Sequence, residues 1–548
     1  MSTDLESKND SSMIEDPPIA IRGVLRRLGP GLIVAGSIVG SGELIATTRT
    51  GAEAGFTLLW LILLGCIIKV FVQVEFGRFA IVTGATTMEG LNQVPGPRLG
   101  RGNWIVWYWF LMFLASISQL GAIVGGVGQA LSISAPLTEQ GRLFNEQIDQ
   151  DTEAKVAAGE IRRLQFLKDE GRASPEALQR LKELLAAPVP SAADAEKVEA
   201  GWDEYIWATI VTAITSLVLI VGRYGLLQTF STAMVATFTF ITVLNLYFLQ
   251  SNETWAVSAD EIISGLQMRL PQGNRAAIGT ALATFGIIGV GASELVTYPY
   301  WCMEKGYARF TGKRDDSSEW AARARGWMRV MRWDAWCSMV VYTFATIAFY
   351  LLGAAILGGA RLVPEKNEMV RTLAVMYEPV FGPAARPVFL FGAFAVLYST
   401  FFVANASQAR VFSDAIRVLG FVADGEAAYR RRVVMLSGLF PFLCLAMYFL
   451  FRKPVIMVLV GGAMQGIMLP MLAGAALYFR YSRGDKRVFP TKLWDAFLWI
   501  SSFGMLVTGT WTLYDKASTL YEKVNSYFVG PAENMDDPDA SEDGEDDD

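Results

Sequence analysis

Apolar residues run along this chain in long stretches, separated by short polar segments that carry arginine. Stretches such as "WLILLGCIIKVFVQVEF", "YIWATIVTAITSLVLIVG" and "VVMLSGLFPFLCLAMYFL" reach or approach the roughly 20 residues a helix needs to cross a bilayer. Eleven spans are predicted, over 29–50, 55–80, 104–131, 204–222, 225–249, 279–303, 333–357, 387–412, 432–451, 454–478 and 491–514. The fold class expected is all-α, a polytopic membrane protein with the lipid bilayer as its solvent.

The polar segments set an orientation. Lysine and arginine concentrate on the cytoplasmic side of membrane proteins. With the N-terminus inside, the inner segments hold Arg22, Arg26 and Arg27, then Arg98 and Arg101, then eight more basic residues over 304–332. Arg430, Arg431 and Arg432 follow, then Arg480, Arg483, Lys486 and Arg487. The segment 1–28 is then cytoplasmic, and an odd number of spans puts the C-terminus outside. The insert 132–203 breaks the pattern. Its "EIRRLQFLKDEGRASPEALQRLKELLAAP" repeats apolar residues at three and four on either side of a polar turn. Ser174 and Pro175 read as an N-cap followed by proline at the first helical position. An extracytoplasmic helical hairpin is expected there, either a surface decoration or a dock for a protein partner.

Composition agrees with the spans. The chain has 548 residues, 52% hydrophobic and only 18% charged, against about a quarter charged in soluble domains. The first 28 residues show no cleavable signal pattern. Cys66, Cys302, Cys337 and Cys444 lack metal-like spacing and are expected to be buried hydrophobes. The net charge of −6 is partly local, since the tail 532–548 is a run of acid expected to be disordered. Histidine is absent. That removes imidazole as ligand or proton relay, and with it any nucleophile–histidine enzyme. No cofactor and no nucleic-acid partner are expected.

Two phrases carry the candidate chemistry. VGSGEL occupies 39–44 in the first span and VGASEL occupies 290–295 in the sixth. A charged side chain near the bilayer centre is unfavourable by at least about 2.5–3.5 kcal/mol and is a functional candidate by default. Secondary transporters are often built from two inverted repeats, whose first helices break near the midplane around the substrate. The expectation is therefore two broken helices, interrupted near 40–42 and 291–293, with Glu43 and Glu294 starting the second halves and facing one cavity. The neighbours Gly40, Ser41, Gly42, Gly291, Ala292, Ser293 and Thr297 join the candidate site. Thr47, Thr48, Arg49, Tyr298 and Tyr300 flank it. Gln119 in span three, Asn405, Ser407 and Gln408 in span eight, and Gln465 in span ten are secondary polar candidates. Ser399 and Thr400 are weaker ones. Glu75 and Arg78, three apart, are expected to pair on one helix face. A hard divalent cation suits carboxylates, hydroxyls and carbonyls, whereas an ammonium group would also suit the glutamates.

"GPGLIVAGSIVGSGELIATTRTGAEAGFTLLW" resembles the first-helix region of the natural-resistance-associated macrophage protein (Nramp) family. Gly29, Pro30 and Gly31 match its opening, Gly51 and Ala52 its turn, "FGRFAIVTG" at 76–84 its second-helix ending, and Leu469 and Pro470 its tenth helix. The resemblance is strong at the start, thinner later, and skips 132–203. It implies a LeuT-type fold, with inverted repeats over 29–249 and 279–478 and an eleventh helix at 491–514. It also implies a symporter in the plasma (inner) membrane, since members are typically proton-linked importers of manganese or iron. The motifs depart from the family pattern. Asp-Pro-Gly-Asn falls on Gly40, Ser41, Gly42 and Glu43. Gly-Ala-x-x-Met-Pro-His, anchored on Gly291 and Ala292, puts Leu295 at the methionine, Val296 at the proline and Thr297 at the histidine. A register anchored on Gly289 puts Ser293 at the methionine instead, with Glu294 at the proline. The reading favoured is a divergent transporter of a hard divalent cation, magnesium or manganese, as substrate. The alternatives are a transporter of an organic cation or amino acid, and a non-transporting membrane receptor or scaffold.

Overall fold

The computed structural model describes residues 14–186, 198–222, 224–365 and 368–529. The acidic tail, 532–548, lies outside the described residues. Among those residues ten helices are long and apolar enough to cross a membrane. A bent pair, Pro30–Ile38 and Gly42–Ala54 at 41°, supplies one more and is the first span. The others follow the predicted order: Leu59–Thr83, Trp104–Ser134, Asp203–Val221, Tyr224–Leu249, Arg275–Lys305, Ser318–Gly358, Met369–Val418, Glu426–Phe451, Pro454–Arg483 and Lys492–Val529. The only described strands are two residues each, Arg98–Leu99 paired antiparallel with Gly102–Asn103.

Several helices outrun the predicted spans. Span seven begins at Ser318 rather than 333, because Ser317 caps it by accepting from the Trp320 N–H. Hydrophobicity marks where a helix enters lipid, while caps mark where it ends. The sixth span sits at the centre of the bundle. The share of its apolar window buried by protein is 89%, against 33% for the fourth span.

The opening Gly29-Pro30-Gly31 has a physical reason here. Asp334 of span seven accepts from the Gly29 N–H at 2.8 Å and from the Gly31 N–H at 2.6 Å. Pro30 stands at the first helical position and has no N–H to leave unpaired. A Cβ at Gly31 would lie 2.7 Å from the Asp334 carbonyl oxygen. The carboxylate thus caps the positive end of the first half-helix.

The hairpin insert consists of helices Glu139–Asp169 and Pro175–Ala186. Ser174 Oγ accepts from the Ala177 N–H at 3.1 Å, and Leu164, Ala177 and Leu181 form a small core of its own. The long helix docks on this same chain. Arg162 donates to the Ala360 carbonyl, Arg163 to the Thr254 carbonyl, and Lys155 pairs with Glu368 at 2.8 Å. All four cysteines are free; three are buried and Cys337 is half-buried. Glu75 and Arg78 pair at 3.1 Å, and the Trp494 indole donates to Glu75 Oε1 at 2.7 Å.

Candidate functional site

The two repeated phrases fold differently. In the first span, Val39–Thr47 winds as a π-helix rather than unwinding. The wider turn displaces backbone bonds by one residue, and the Thr47 hydroxyl donates to the Gly42 carbonyl, five residues back, at 2.9 Å. Such π-turns occur at functional sites. Glu43 therefore sits in a widened turn at the start of the segment Gly42–Ala54, just past the 41° bend of the first span. In the sixth span the regular helix stops at Ile287 and resumes at Ala292. The interruption is at 288–291, a few residues before the predicted place. Gly289 carries it, with φ +58 and a Cβ position only 3.0 Å from the Cys66 Cα. Only glycine fits that left-handed, crowded position. Glu294 then falls in the first turn of the second half, where the helix dipole favours a carboxylate.

Glu43 is fully buried. Its Oε1 accepts from the Gly289 N–H at 3.2 Å and from the Thr346 hydroxyl at 3.0 Å. One carboxylate oxygen thus ties spans one, six and seven together. The other oxygen, Oε2, is buried without a hydrogen-bond partner. Glu294 retains some accessible surface deep in the bundle. Its carboxylate folds back over Gly291, whose Cβ would lie 2.5 Å from Oε2, and the Ser37 hydroxyl faces it. Glu43, through Gly289, and Glu294, over Gly291, both lie against the interruption of span six.

A chain of amides runs beside them. Gln465 donates to Gln119 Oε1 at 3.0 Å, and Gln465 Oε1 accepts from the Ser293 N–H at 3.0 Å. Gln408 donates to the Ser293 hydroxyl at 2.8 Å, and its own Oε1 is buried without a partner. Four predicted candidates thus meet on the second half of span six. Of the two positions offered for the family's methionine, Ser293 lies in this polar chain and Leu295 packs in the core. On the other side, Thr400 accepts from the Gly40 N–H at 3.0 Å, and a Cβ at Gly40 would collide with Thr400 Oγ1. Gly42 leans on the Ile287 carbonyl. The side chain of Ser41 lies outside the described residues.

Other candidates point elsewhere. Tyr298 bonds Asp334 at 3.1 Å, so it belongs to the cap of the first half-helix. Asn405 donates to the Phe401 carbonyl and faces Cys444. Tyr300 donates to Asp414 at 2.6 Å, Trp301 donates to Ser407, and Arg49 pairs with Glu53 at 2.6 Å. Thr297 bonds only the Glu294 carbonyl of its own helix, and Ala292 is buried.

One group at the site escaped the sequence reading. Lys69 of span two is fully buried, and its ammonium donates to the carbonyls of Phe285 and Ile288 at 2.5 and 2.7 Å. These carbonyls lie at the end of the first half of span six and at the first residue of its interruption. The Ile288 carbonyl that Lys69 holds belongs to the same peptide unit as the Gly289 N–H that Glu43 accepts from. The site therefore holds two carboxylates and one ammonium. Among the described residues, no three or more of Cys, Asp and Glu converge as a metal cluster would require.

An all-helical polytopic membrane bundle, irregular in its first and sixth spans beside two buried acids, is the class this geometry defines. A family model described as natural resistance-associated macrophage protein-like matches residues 31–139 and 185–515. The chain belongs to that family. The metal transporter Nramp2 of Populus trichocarpa is 29% identical over 119 residues, covering 21% of this chain and 20% of its own length. The divalent metal cation transporter MntH of Mycobacterium tuberculosis is 27% identical over 99 residues, 18% of this chain and 22% of its own length. The aligned part is about a fifth of the length of these curated relatives. A variant of the Eremococcus coleocola manganese transporter shares the fold, with a TM-score of 0.53 at 13% identity over 95% of this chain and 92% of that one.

Proposed function

We propose that this chain is a secondary transporter that carries a hard divalent cation, magnesium or manganese, through a central site formed by Glu43 and Glu294. The observation that carries the reading is the partnerless, buried Oε2 of Glu43. A carboxylate oxygen held in the interior with no donor is strongly unfavourable, and a cation beside it supplies what the protein leaves out. Family membership supports the assignment, as do the metal-transporting relatives. The donors on offer at the site are oxygens, which suits hard cations. Inverted repeats over 29–249 and 279–478, and a cytoplasmic N-terminus, belong to the same reading.

A second reading has its own support. Lys69 stands beside the two acids with its own positive charge, and among the described residues no third acid joins them. That balance suits a singly charged organic cation or an amino acid. Uptake into proteoliposomes separates the two, with magnesium, manganese and a panel of small amines tested side by side. The divalent reading expects saturable metal uptake that falls about 30-fold or more in both Glu43→Gln and Glu294→Gln, from the 2 kcal/mol or more that a buried charged partner contributes. Uptake of amines without metals would replace it with the second reading. Folded protein that moves and binds neither would leave a non-transporting receptor.

A further inference from the structure

The proposed cargo makes no use of Lys69, yet its placement is costly to maintain. A lysine at this depth in a membrane helix is unfavourable by about 2.5–3.5 kcal/mol or more unless it is paired. Its partners are not the carboxylates but two backbone carbonyls, of Phe285 and Ile288. A helix that stops leaves its last carbonyls without intrahelical donors, and these carry partial negative charge. The first half of span six stops at Ile287. Span two approaches the stop closely: a Cβ at Gly65 would lie 2.9 Å from Ile288 Cδ1, and Gly289 abuts Cys66. The ammonium also lies 4.7 Å from the centre of the Phe285 ring, a favourable place for a cation. Carbonyls and an aromatic face, beside the peptide that Glu43 holds, make a cation site, and the chain fills it with its own side chain.

We propose that the Lys69 ammonium is a tethered monovalent cation. It holds the interruption of span six in its observed shape and takes the place that a free ion such as sodium would otherwise occupy. The transporter reading gives this arrangement its use: a resident charge removes the need for a separate bound ion beside the cargo. Two features separate the proposal from simple helix capping. A cap needs only a donor, whereas a tethered cation needs the charge. A cap also leaves nothing for a free ion to replace.

The test uses the full chain in detergent and reads the thermal unfolding midpoint in sodium, methylammonium or choline chloride at equal ionic strength. Choline, whose quaternary nitrogen has no N–H to donate to a carbonyl, serves as the reference. Wild type and Lys69→Arg are expected to show no difference between the three salts. Lys69→Ala and Lys69→Gln are expected to unfold earlier in choline and to regain about 3 °C or more in sodium or methylammonium, as a ligand that binds only the folded state does. Equal responses in wild type and variants would overturn the proposal. So would a Lys69→Gln variant as stable as wild type in choline, which would show that a neutral donor suffices. If Lys69→Ala cannot be purified in choline, recovery of folded protein in methylammonium is required, and failure to recover it also overturns the proposal. No cargo enters this measurement, so its failure leaves the cargo assignment standing, and failed metal uptake leaves the role of Lys69 standing.

Discussion

Replacing Glu43 by glutamine is expected to keep the fold while removing half of the site's negative charge. The magnitudes follow from its two bonds. A hydrogen bond to a charged group contributes about 1.5–3 kcal/mol, and a neutral one about 0.5–1.5. The Gly289 N–H and the Thr346 hydroxyl both reach Oε1, and a glutamine carbonyl can accept both. The change therefore weakens two bonds by roughly 1 kcal/mol each. Against this stands the desolvation of a buried carboxylate, several kcal/mol for an ion in an interior, which the amide largely escapes. The net effect on stability is expected within about 2 kcal/mol of zero. Glu43→Ala is different. It strands the Gly289 N–H, at about 1–3 kcal/mol, while Thr346 keeps the Tyr342 carbonyl as a partner. Unfolding midpoints in detergent should thus rank Glu43→Gln near wild type and Glu43→Ala clearly below. Calorimetry on the glutamine variant should show cation binding lost. Two results would refute the reasoning: glutamine as damaging as alanine, or glutamine with unchanged cation affinity.

Three further substitutions probe neighbouring contacts. Gly291 has φ −66, which alanine adopts freely, but its Cβ would lie 2.5 Å from Glu294 Oε2 and 2.9 Å from Gln465 Oε1. Gly291→Ala should therefore fold normally and shift cation affinity about tenfold, one carboxylate contact's worth; an unchanged binding isotherm would contradict this. Gly51 faces the backbone of span seven, with its Cβ position 2.4 Å from the Tyr350 carbonyl oxygen and 2.8 Å from the Ala354 nitrogen. Backbone cannot swing aside, so Gly51→Ala should destabilise by about 1–3 kcal/mol, read as a lowered thermal midpoint. Between spans ten and eleven, Asp485 is held down to about 2, chiefly by the Arg487 hydrogen bond, with Arg314 adding its charge. A depressed carboxylate adds stability above its unfolded value, near 3.8, and loses it as pH falls toward 2. Asp485→Asn should flatten the acid side of the stability curve over that window; superimposable curves would show the ion pairs to be inert.

The spans were legible because lipid imposes a minimum length of apolar sequence, and no soluble constraint writes eleven such runs. Glu43, Glu294, Ser293, Gln119, Gln408 and Gln465 were legible as polar residues inside those runs, and the structure gathers them in one region. Asn405 and Tyr298 met the same criterion and lie elsewhere. Depth in a span says nothing about which helix face a residue occupies when every face is apolar. Lys69 was missed although it stands in the middle of a quoted apolar run. The cost argument applied to the glutamates holds for it equally. Its partners, however, are main-chain carbonyls, and a broken helix that exposes carbonyls leaves no side-chain signature. The same holds for Asp334, whose donors are the N–H groups of Gly29 and Gly31. The π-helix was invisible for a related reason. Two glycines around a serine are compatible with unwinding or with a widened turn, and tertiary contacts to Thr400 and Ile287 accompany the outcome.

The repeated phrase therefore does two jobs. At Glu294 the backbone has ended and restarted, and the carboxylate sits on a helix N-terminus with some accessible surface left to it. At Glu43 the backbone bends through a widened turn, and the carboxylate is spent on one side holding the interruption of span six, through Gly289, against span seven, through Thr346. Lys69 holds the other face of the same peptide unit, through the Ile288 carbonyl, together with the Phe285 carbonyl at the end of the first half. The Ile288–Gly289 peptide at the start of the break is thus gripped by an acid at its N–H and by an ammonium at its carbonyl, opposite charges at the two ends of one peptide dipole. An arrangement of this kind can respond to a cation. Under the proposed cargo, a cation beside Glu43 Oε2 would compete for the same carboxylate that secures Gly289 and would repel the ammonium that secures Phe285 and Ile288. Both effects would loosen one hinge of one helix, which would couple occupancy of the site to the shape of the span that lines it.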